Sequence, residues 1–141
     1  MREMSDEERR AFLLESTRTG KLATVRRDGR PHVVPIWFVL DGDDVILTTG
    51  ADTVKGRNIR RDGHLCLCVD DERPPFAYVT IEGAATVSEE QDELLRWATS
   101  IGARYMGDAR AGEFGRRNAV EGELLVRVRP TKVIARAGIA D

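Results

Sequence analysis

Residues 20–49, GKLATVRRDGRPHVVPIWFVLDGDDVILTT, contain the pattern that decides the fold. Leu22–Val25 and Pro31–Leu40 are apolar, partly β-branched segments joined by a turn with an Asp-Gly pair. Such a pair between two apolar runs is a strong short-range signal of a β-hairpin. A second turn, Asp41–Asp44, leads into a third run, Val45–Thr49. The stretch therefore predicts an antiparallel meander of three strands.

The rest of the chain extends this sheet and adds helices at its borders. Further strands are expected at Leu65–Val69, Ala77–Val87 with a bulge at Gly83, and Leu124–Ala135. Helices are expected from a capping box at Ser5–Glu8 to about Thr17, over Thr53–Arg61, and from a second capping box at Ser88–Gln91 to about Tyr105. Met106–Glu121 reads as a loop or a marginal helix. Consecutive strands favour a mainly β, six-stranded antiparallel barrel with two to three flanking helices.

Length and composition restrict the class of protein. A chain of 141 residues fits one domain, 1–141, and a net charge of −2 gives no general attraction for nucleic acid. No segment approaches the roughly 18 apolar residues of a membrane helix, and Met1–Arg10 is charged, so we expect a soluble, cytoplasmic protein without a membrane partner. Two cysteines, Cys66 and Cys68, and two histidines are too few for a zinc site, and we predict no metal.

The stretch from Leu47 to Arg61 carries the most informative polar pattern. A strand end, a turn and a helix start bring free backbone N–H groups together, and the hydroxyls of Thr48, Thr49 and Thr53 add donors. Lys55 and Arg57 in a first helical turn oppose the helix dipole, which an anion would compensate. The pattern indicates a phosphate site, and a solvated basic helix is the alternative.

Other common sites are missing from the sequence. There is no glycine-rich dinucleotide motif, no Walker loop and no G-x-S-x-G elbow. Trp37, near the middle of a predicted strand, could face a planar ring, although a core position is the usual one for tryptophan. The residues themselves give no catalytic nucleophile.

Taken in order, several segments resemble the pyridoxamine 5′-phosphate oxidase-like split β-barrel flavoproteins, and within them the branch that uses the deazaflavin coenzyme F420. These segments are Gly20–Val25, Asp28–Pro31, Pro35–Phe38, Thr53–Asp62 and Ile81–Ala85. The resemblance implies a six-stranded split barrel that spans most of the chain. It does not extend to the longer substrate-binding tail of true pyridoxamine phosphate oxidases, of which Arg129–Lys132 is a partial match.

The resemblance also implies roles for particular residues. In such proteins the segment matching Thr53–Asn58, with Lys55 at its centre, holds the cofactor phosphate. Strands matching Ile36–Trp37 and Thr48–Thr49 line the ring system. A homodimer is implied, with two cofactor sites at the subunit interface and the region around Phe76–Tyr78 of the second chain closing each groove.

The function implied is hydride transfer between coenzyme F420 and a small unsaturated organic substrate. Arg57, Arg60 and Arg61 favour coenzyme F420 because its oligoglutamate tail adds negative charge. Two alternatives stay open: an FMN-binding oxidase or reductase on the same fold, and a non-catalytic protein that carries a flavin, deazaflavin or haem. Tyr78 is the one side chain suggested as a proton donor.

Overall fold

The computed structural model describes residues 1–141 as a mainly antiparallel sheet with four helices. The strands are β1 Arg2–Glu3, β2 Gly20–Val25, β3 Pro31–Ile36, β4 Val39–Asp41, β5 Asp44–Gly50, β6 His64–Asp71, β7 Ala77–Ser88 and β8 Glu123–Ala137. The helices are α1 Asp6–Leu14, α2 Val54–Arg61, α3 Gln91–Met106 and α4 Ala111–Asn118. The class is the one predicted, with eight strands where six were expected.

One of the two additional strands comes from a bend in the predicted strand Pro31–Leu40. Trp37 and Phe38 interrupt it, so that β3 pairs with β2 while β4 pairs with β5. The order of strands is β3-β2-β6-β7-β8-β5-β4, which puts the two halves of this segment at opposite ends of the sheet. The prediction of a continuous three-stranded meander was therefore wrong. Because of the bend, the segment 31–41 provides both end strands of the sheet, β3 and β4, and so closes the sheet into a barrel.

The interior of the barrel is filled by alternate side chains of the strands. Val45 and Leu47 of β5 are fully buried inside it, with Val126 of β8 beside them. Ile46 of β5 and Leu125 of β8 point outward and pack under α3, with Trp97 and Ile101. The helix thus covers one side of the barrel.

The helix boundaries follow from local hydrogen bonds. The capping box at Ser5 and Glu8 is present, and α1 ends at Leu14, three residues earlier than predicted. The second predicted capping box was wrong: Ser88 still belongs to β7, and the carboxylate of Glu90 caps α3 by accepting the amides of Asp92 and Glu93. The segment expected to be a loop or marginal helix forms a 3₁₀ turn, Asp108–Arg110, followed by α4.

The β-bulge predicted at Gly83 is present, opposite Pro130 of β8. A β-carbon at Gly83 would lie 2.8 Å from the carbonyl oxygen of Arg129, so close packing of the two backbones requires glycine here. Cys66 and Cys68 are free thiols on the outer face of β6, and burial raises the pKa of both. None of the helices is both long and apolar enough to span a membrane.

Candidate functional site

A cleft of about 310 Å³ lies where the end of β5 meets the start of α2 and the bend between β3 and β4. Its lining includes five of the nine residues predicted for the cofactor site: Ile36, Trp37, Thr48, Thr49 and Lys55. Gly50, Ile101, Asn118 and Glu123 are among its other residues. The fold therefore brings together the residues expected near the phosphate and those expected near the ring.

The phosphate end of the cleft is built on the first turn of α2. Thr53 caps this helix, and its hydroxyl accepts the amide of Gly56 at 3.0 Å and contacts the hydroxyl of Thr49 at 3.1 Å. Gly56 is needed because a β-carbon there would collide with the carbonyl oxygen of Gly50. No acidic residue occupies this first helical turn. The positive end of the helix dipole therefore has no side-chain anion of its own helix to neutralise it.

Lys55 differs from the other two lysines in its partners. Lys21 pairs with Asp70 at 2.8 Å and Lys132 with Glu82 at 3.9 Å, whereas Lys55 forms no ion pair within 4.0 Å. Its ammonium group lines the cleft beside the capped helix start. These features fit a phosphate group, for which a helix N-terminus and a lysine are common donors.

The other end of the cleft is formed by the indole of Trp37. The ring stacks on Tyr105 with centroids 5.0 Å apart and planes 4° apart, and Phe114 leans against it at 6.0 Å. Trp37 keeps 36% of its surface exposed. One side of the indole is thus fixed by aromatic packing, and a part of it faces the cleft, which suits contact with a planar ring.

Two neighbouring residues of α3 hold the bend that carries Trp37. The hydroxyl of Tyr105 accepts the amide of Phe38 at 3.1 Å and donates to the carbonyl of Arg18 at 2.7 Å. Arg104 donates to the carbonyls of Phe38 and Leu13, both at 2.7 Å. Burial is the main cause that raises the pKa of Tyr105 and lowers that of Arg104. Sequence reasoning missed both residues, because their partners are backbone atoms distant in the chain.

Glu123 is the one acidic residue of the cleft, and it too was missed. It opens β8 opposite Gly50, and its carboxylate lies close to that glycine. Burial raises the pKa of Glu123, while the Lys55 ammonium and the Thr48 hydroxyl act in the opposite direction. No motif surrounds it in the sequence, and only the pairing of β5 with β8 reveals its position.

Two predicted site residues, Arg57 and Asn58, lie elsewhere. They line a second hollow of about 810 Å³ on the other side of the turn that starts α2. Asn58 is buried, and its side-chain amide donates to Thr24 at 3.0 Å, which gives it a structural partner. Arg57 donates to the carbonyl of Asp52 at 2.6 Å. The hollow is strongly basic, since five arginines line it with a single acid, Asp52: Arg26, Arg27, Arg57, Arg60 and Arg61.

Tyr78 lies on β7 between Asp70 of β6 and Arg136 of β8 and does not line the cleft of its own chain. Phe76, in the preceding loop, is 41% exposed. Within one chain, the structure therefore does not bring Tyr78 together with Lys55.

A barrel whose two end strands come from one bent segment, with a lysine at a capped helix start and a partly exposed tryptophan in one cleft, has the architecture of the split-barrel class. The chain belongs to the pyridoxamine 5′-phosphate oxidase family, whose pattern it matches over residues 5–137. Among curated proteins, none matches the chain.

Solved structures of the same fold differ in what is known of them. The conserved hypothetical protein Rv2991 from Mycobacterium tuberculosis is 28% identical, with a TM-score of 0.84 over 96% of this chain and 86% of its own. A protein described as an F420 reductase is also 28% identical, with a TM-score of 0.68 over 87% of this chain and 94% of its own. The haem storage protein HutZ from Vibrio cholerae shares 17% identity, with a TM-score of 0.74 over 96% and 98%, and so shows the fold alone.

Proposed function

We propose that this protein is an oxidoreductase that binds coenzyme F420 and transfers a hydride between this deazaflavin and a small unsaturated organic substrate. The observation that carries the proposal is Lys55, a lysine without an ion pair at the capped start of α2, in one cleft with the partly exposed Trp37. The F420 reductase with 28% identity supports this choice of cofactor.

In this proposal the start of α2 binds the cofactor phosphate. Lys55 supplies a positive charge, and the amides that have no partner within the helix supply hydrogen bonds. The hydroxyls of Thr48 and Thr49 line the same cleft and can add donors. Asn58 and Arg57 stabilise this arrangement from the far side of the helix.

The ring system is expected to lie against Ile36 and Trp37. Coenzyme F420, when bound, supplies the hydride chemistry at C5 of its deazaflavin ring. The protein contributes orientation: Tyr105 and Phe114 fix the indole from behind, so that the aromatic wall is formed before the cofactor binds.

The second hollow favours a deazaflavin over FMN. The hollow adjoins the cleft at the turn before α2. Ala51, Asp52 and Val54 of this turn line the hollow, and the flanking residues Gly50 and Lys55 line the cleft. Its five arginines suit a tail of several carboxylates, which coenzyme F420 has and FMN lacks. FMN remains the alternative cofactor, since the phosphate end of the cleft serves both.

A homodimer would complete the site. The cleft volume of about 310 Å³ is at the lower end of the roughly 300–1,000 Å³ usual for ligand pockets. A second wall is therefore needed to enclose a molecule as large as coenzyme F420. On the outer face of β2, β3 and β6, Ala23 lies in register with Val33 and Cys66, and Val33 is 64% exposed. We propose that two copies pair through this face, and that Phe76 and Tyr78 of one copy approach the cleft of the other.

The test is titration of the purified protein with coenzyme F420 and with FMN, followed by cofactor fluorescence. We expect tight binding of coenzyme F420, and turnover of the reduced cofactor with unsaturated acceptors. Binding of FMN alone would establish the FMN alternative. Binding of coenzyme F420 without turnover of any acceptor would favour a carrier.

The internal test of the phosphate site is Lys55→Ala. Removing a charged hydrogen-bond donor is expected to weaken cofactor binding by about 2–3 kcal/mol. Lys132→Ala is the matched control, because Lys132 lies outside the cleft and faces Glu82. Equal affinities of the two variants would show that the phosphate binds elsewhere.

A further inference from the structure

Glu123 is out of place in a site for anions. Its carboxylate lies in the same cleft as Lys55, on the strand that pairs with the end of β5. Two negative charges a few ångströms apart repel each other by several kcal/mol where water is partly excluded, and less where it is not. A phosphate that enters this cleft therefore meets an acidic side chain that must leave, pair or become neutral.

The local geometry limits the ways in which Glu123 can respond. It stands at the first position of β8, fixed by the pairing of Glu123 with Gly50 and of Leu124 with Thr49. The carboxylate oxygen Oε2 lies 3.8 Å from the position that a β-carbon of Gly50 would occupy, above the strand end that leads into α2. The backbone on which it stands is thus held in the barrel, and only the side chain can turn away.

The charged groups around Glu123 are few. Lys55 of α2 is the only other charged residue of the cleft. The side chains that face it from the remaining elements are uncharged: Thr48 of β5, Ile101 of α3 and Asn118 of α4. An anion that binds Lys55 takes away the single cation that stabilises the ionised carboxylate. No second cation of the cleft can pair with Glu123, and protonation is the response that keeps its side chain in place.

We propose that Glu123 takes up a proton when the cleft binds a phosphate-bearing ligand, and that it thereby sets the pH range and the charge selectivity of this site. The inference rests on the proposed function only in taking a phosphate group as the ligand of the Lys55 cleft. In the absence of ligand, Glu123 compensates the charge of Lys55. In the complex, the neutral carboxylic acid can donate a hydrogen bond to a phosphate oxygen in place of repelling it.

The pKa of Glu123 determines whether the affinity for the ligand rises or falls with pH. Burial already raises the pKa of Glu123, and a bound anion raises it further. Affinity is then highest at a pH below the pKa of the ligand-free protein and falls as the pH rises toward that of the complex. Each unit of pKa difference between the two states corresponds to about a tenfold loss of affinity across this window.

The experiment measures the affinity for coenzyme F420 and for FMN between pH 5 and pH 8.5 in the full-length protein and in Glu123→Gln. Glutamine keeps the size and polarity of the side chain and removes its charge. We expect the variant to bind about tenfold more tightly than the wild type at pH 8 and equally well at pH 5. The matched control is Glu121→Gln, an exposed glutamate two residues earlier, which is expected to follow the wild type throughout.

A second measurement uses the wild-type protein and needs no variant. The side-chain carboxyl ¹³C signal of Glu123, followed by NMR as a function of pH, reports its protonation directly. We expect its titration midpoint to move upward by about one pH unit when FMN or coenzyme F420 is added. An unchanged midpoint would overturn the proposal.

The remaining outcomes separate the two proposals. Parallel pH profiles of the wild type and Glu123→Gln would refute proton uptake and leave cofactor binding intact. Weaker binding by Glu123→Gln at pH 8 would also refute it, because the carboxylate would then accept a hydrogen bond from the ligand. Tight, proton-linked binding without turnover would support the role of Glu123 and contradict the proposed oxidoreductase. Failure of the wild type to bind either cofactor would refute both.

Discussion

Substitution of Arg104 by methionine tests whether α3 holds the bend that closes the barrel. Arg104 donates three hydrogen bonds to main-chain carbonyls, those of Phe38, Leu13 and Ser16, at 2.7, 2.7 and 3.0 Å. Its guanidinium also lies over the ring of Phe38, 4.7 Å from the centroid. It therefore ties three separate parts of the chain together at one point.

The magnitude follows from these contacts. A hydrogen bond with one charged partner contributes about 1.5–3 kcal/mol, and the bonds to Phe38 and Leu13 are partly shielded from water. The exposed bond to Ser16 adds less, since water can replace the lost donor. Methionine retains the apolar stem of the side chain, so packing changes little. We expect Arg104→Met to lower the free energy of unfolding by about 3–4 kcal/mol.

The assay is urea unfolding followed by circular dichroism and by tryptophan fluorescence, with Arg96→Met as the control. Arg96 is exposed on the same helix and lies over Trp97 at 4.7 Å without any hydrogen bond, so its loss is expected to change stability by less than about 0.5 kcal/mol. A loss below about 1 kcal/mol for Arg104→Met would refute the reasoning, because the three carbonyls would then be satisfied by water.

Three further predictions concern the site and its support. Gly56→Ala is expected to destabilise the fold by more than 2 kcal/mol and to weaken cofactor binding, because the added methyl group collides with a backbone carbonyl. Gly112→Ala in α4 is the control and is expected to be neutral or stabilising, because its methyl group meets only the end of the flexible Arg116 side chain; urea unfolding and fluorescence titration measure both. Asn58→Ala leaves the hydroxyl of Thr24 without its buried donor and is expected to cost about 1–3 kcal/mol of stability with little change in cofactor affinity. A large loss of affinity at unchanged stability would instead make Asn58 a cofactor-binding residue. In the cofactor-free protein, burial raises the pKa of Glu123 above 4.5, so the fold is more stable while this carboxyl is protonated and loses that stability as the pH rises. Glu123→Gln is therefore expected to have a higher melting temperature than the wild type at pH 8 and the same one at pH 4.

The parts of the fold that could be predicted from sequence are those determined by neighbouring residues. The hairpin around Gly29, the capping box at Ser5 and the bulge at Gly83 all follow from local turn and cap chemistry, and all three are present. The bend at Trp37 and Phe38 was missed, and the only local signal of a break in the run Pro31–Leu40 is Pro35, two residues before it. What bends it is Tyr105 and Arg104, almost seventy residues later in the chain.

The residues of the candidate site also fall into those that local sequence predicts and those that distant strands bring in. Thr53 and Lys55 could be proposed from sequence because a helix cap followed by a lysine is a local pattern with a physical reason to bind an anion. Glu123 could not, since it reaches the cleft only through the pairing of β8 with β5. In this proposal the residue that makes the site selective comes from a strand distant in the chain, whereas Thr53 and Lys55, which would bind the anion, are close together in sequence. In the site proposed here, the local pattern Thr53-x-Lys55 predicts where a phosphate would bind, and Glu123 on the opposite strand is proposed to determine the pH range and the net charge of the ligand.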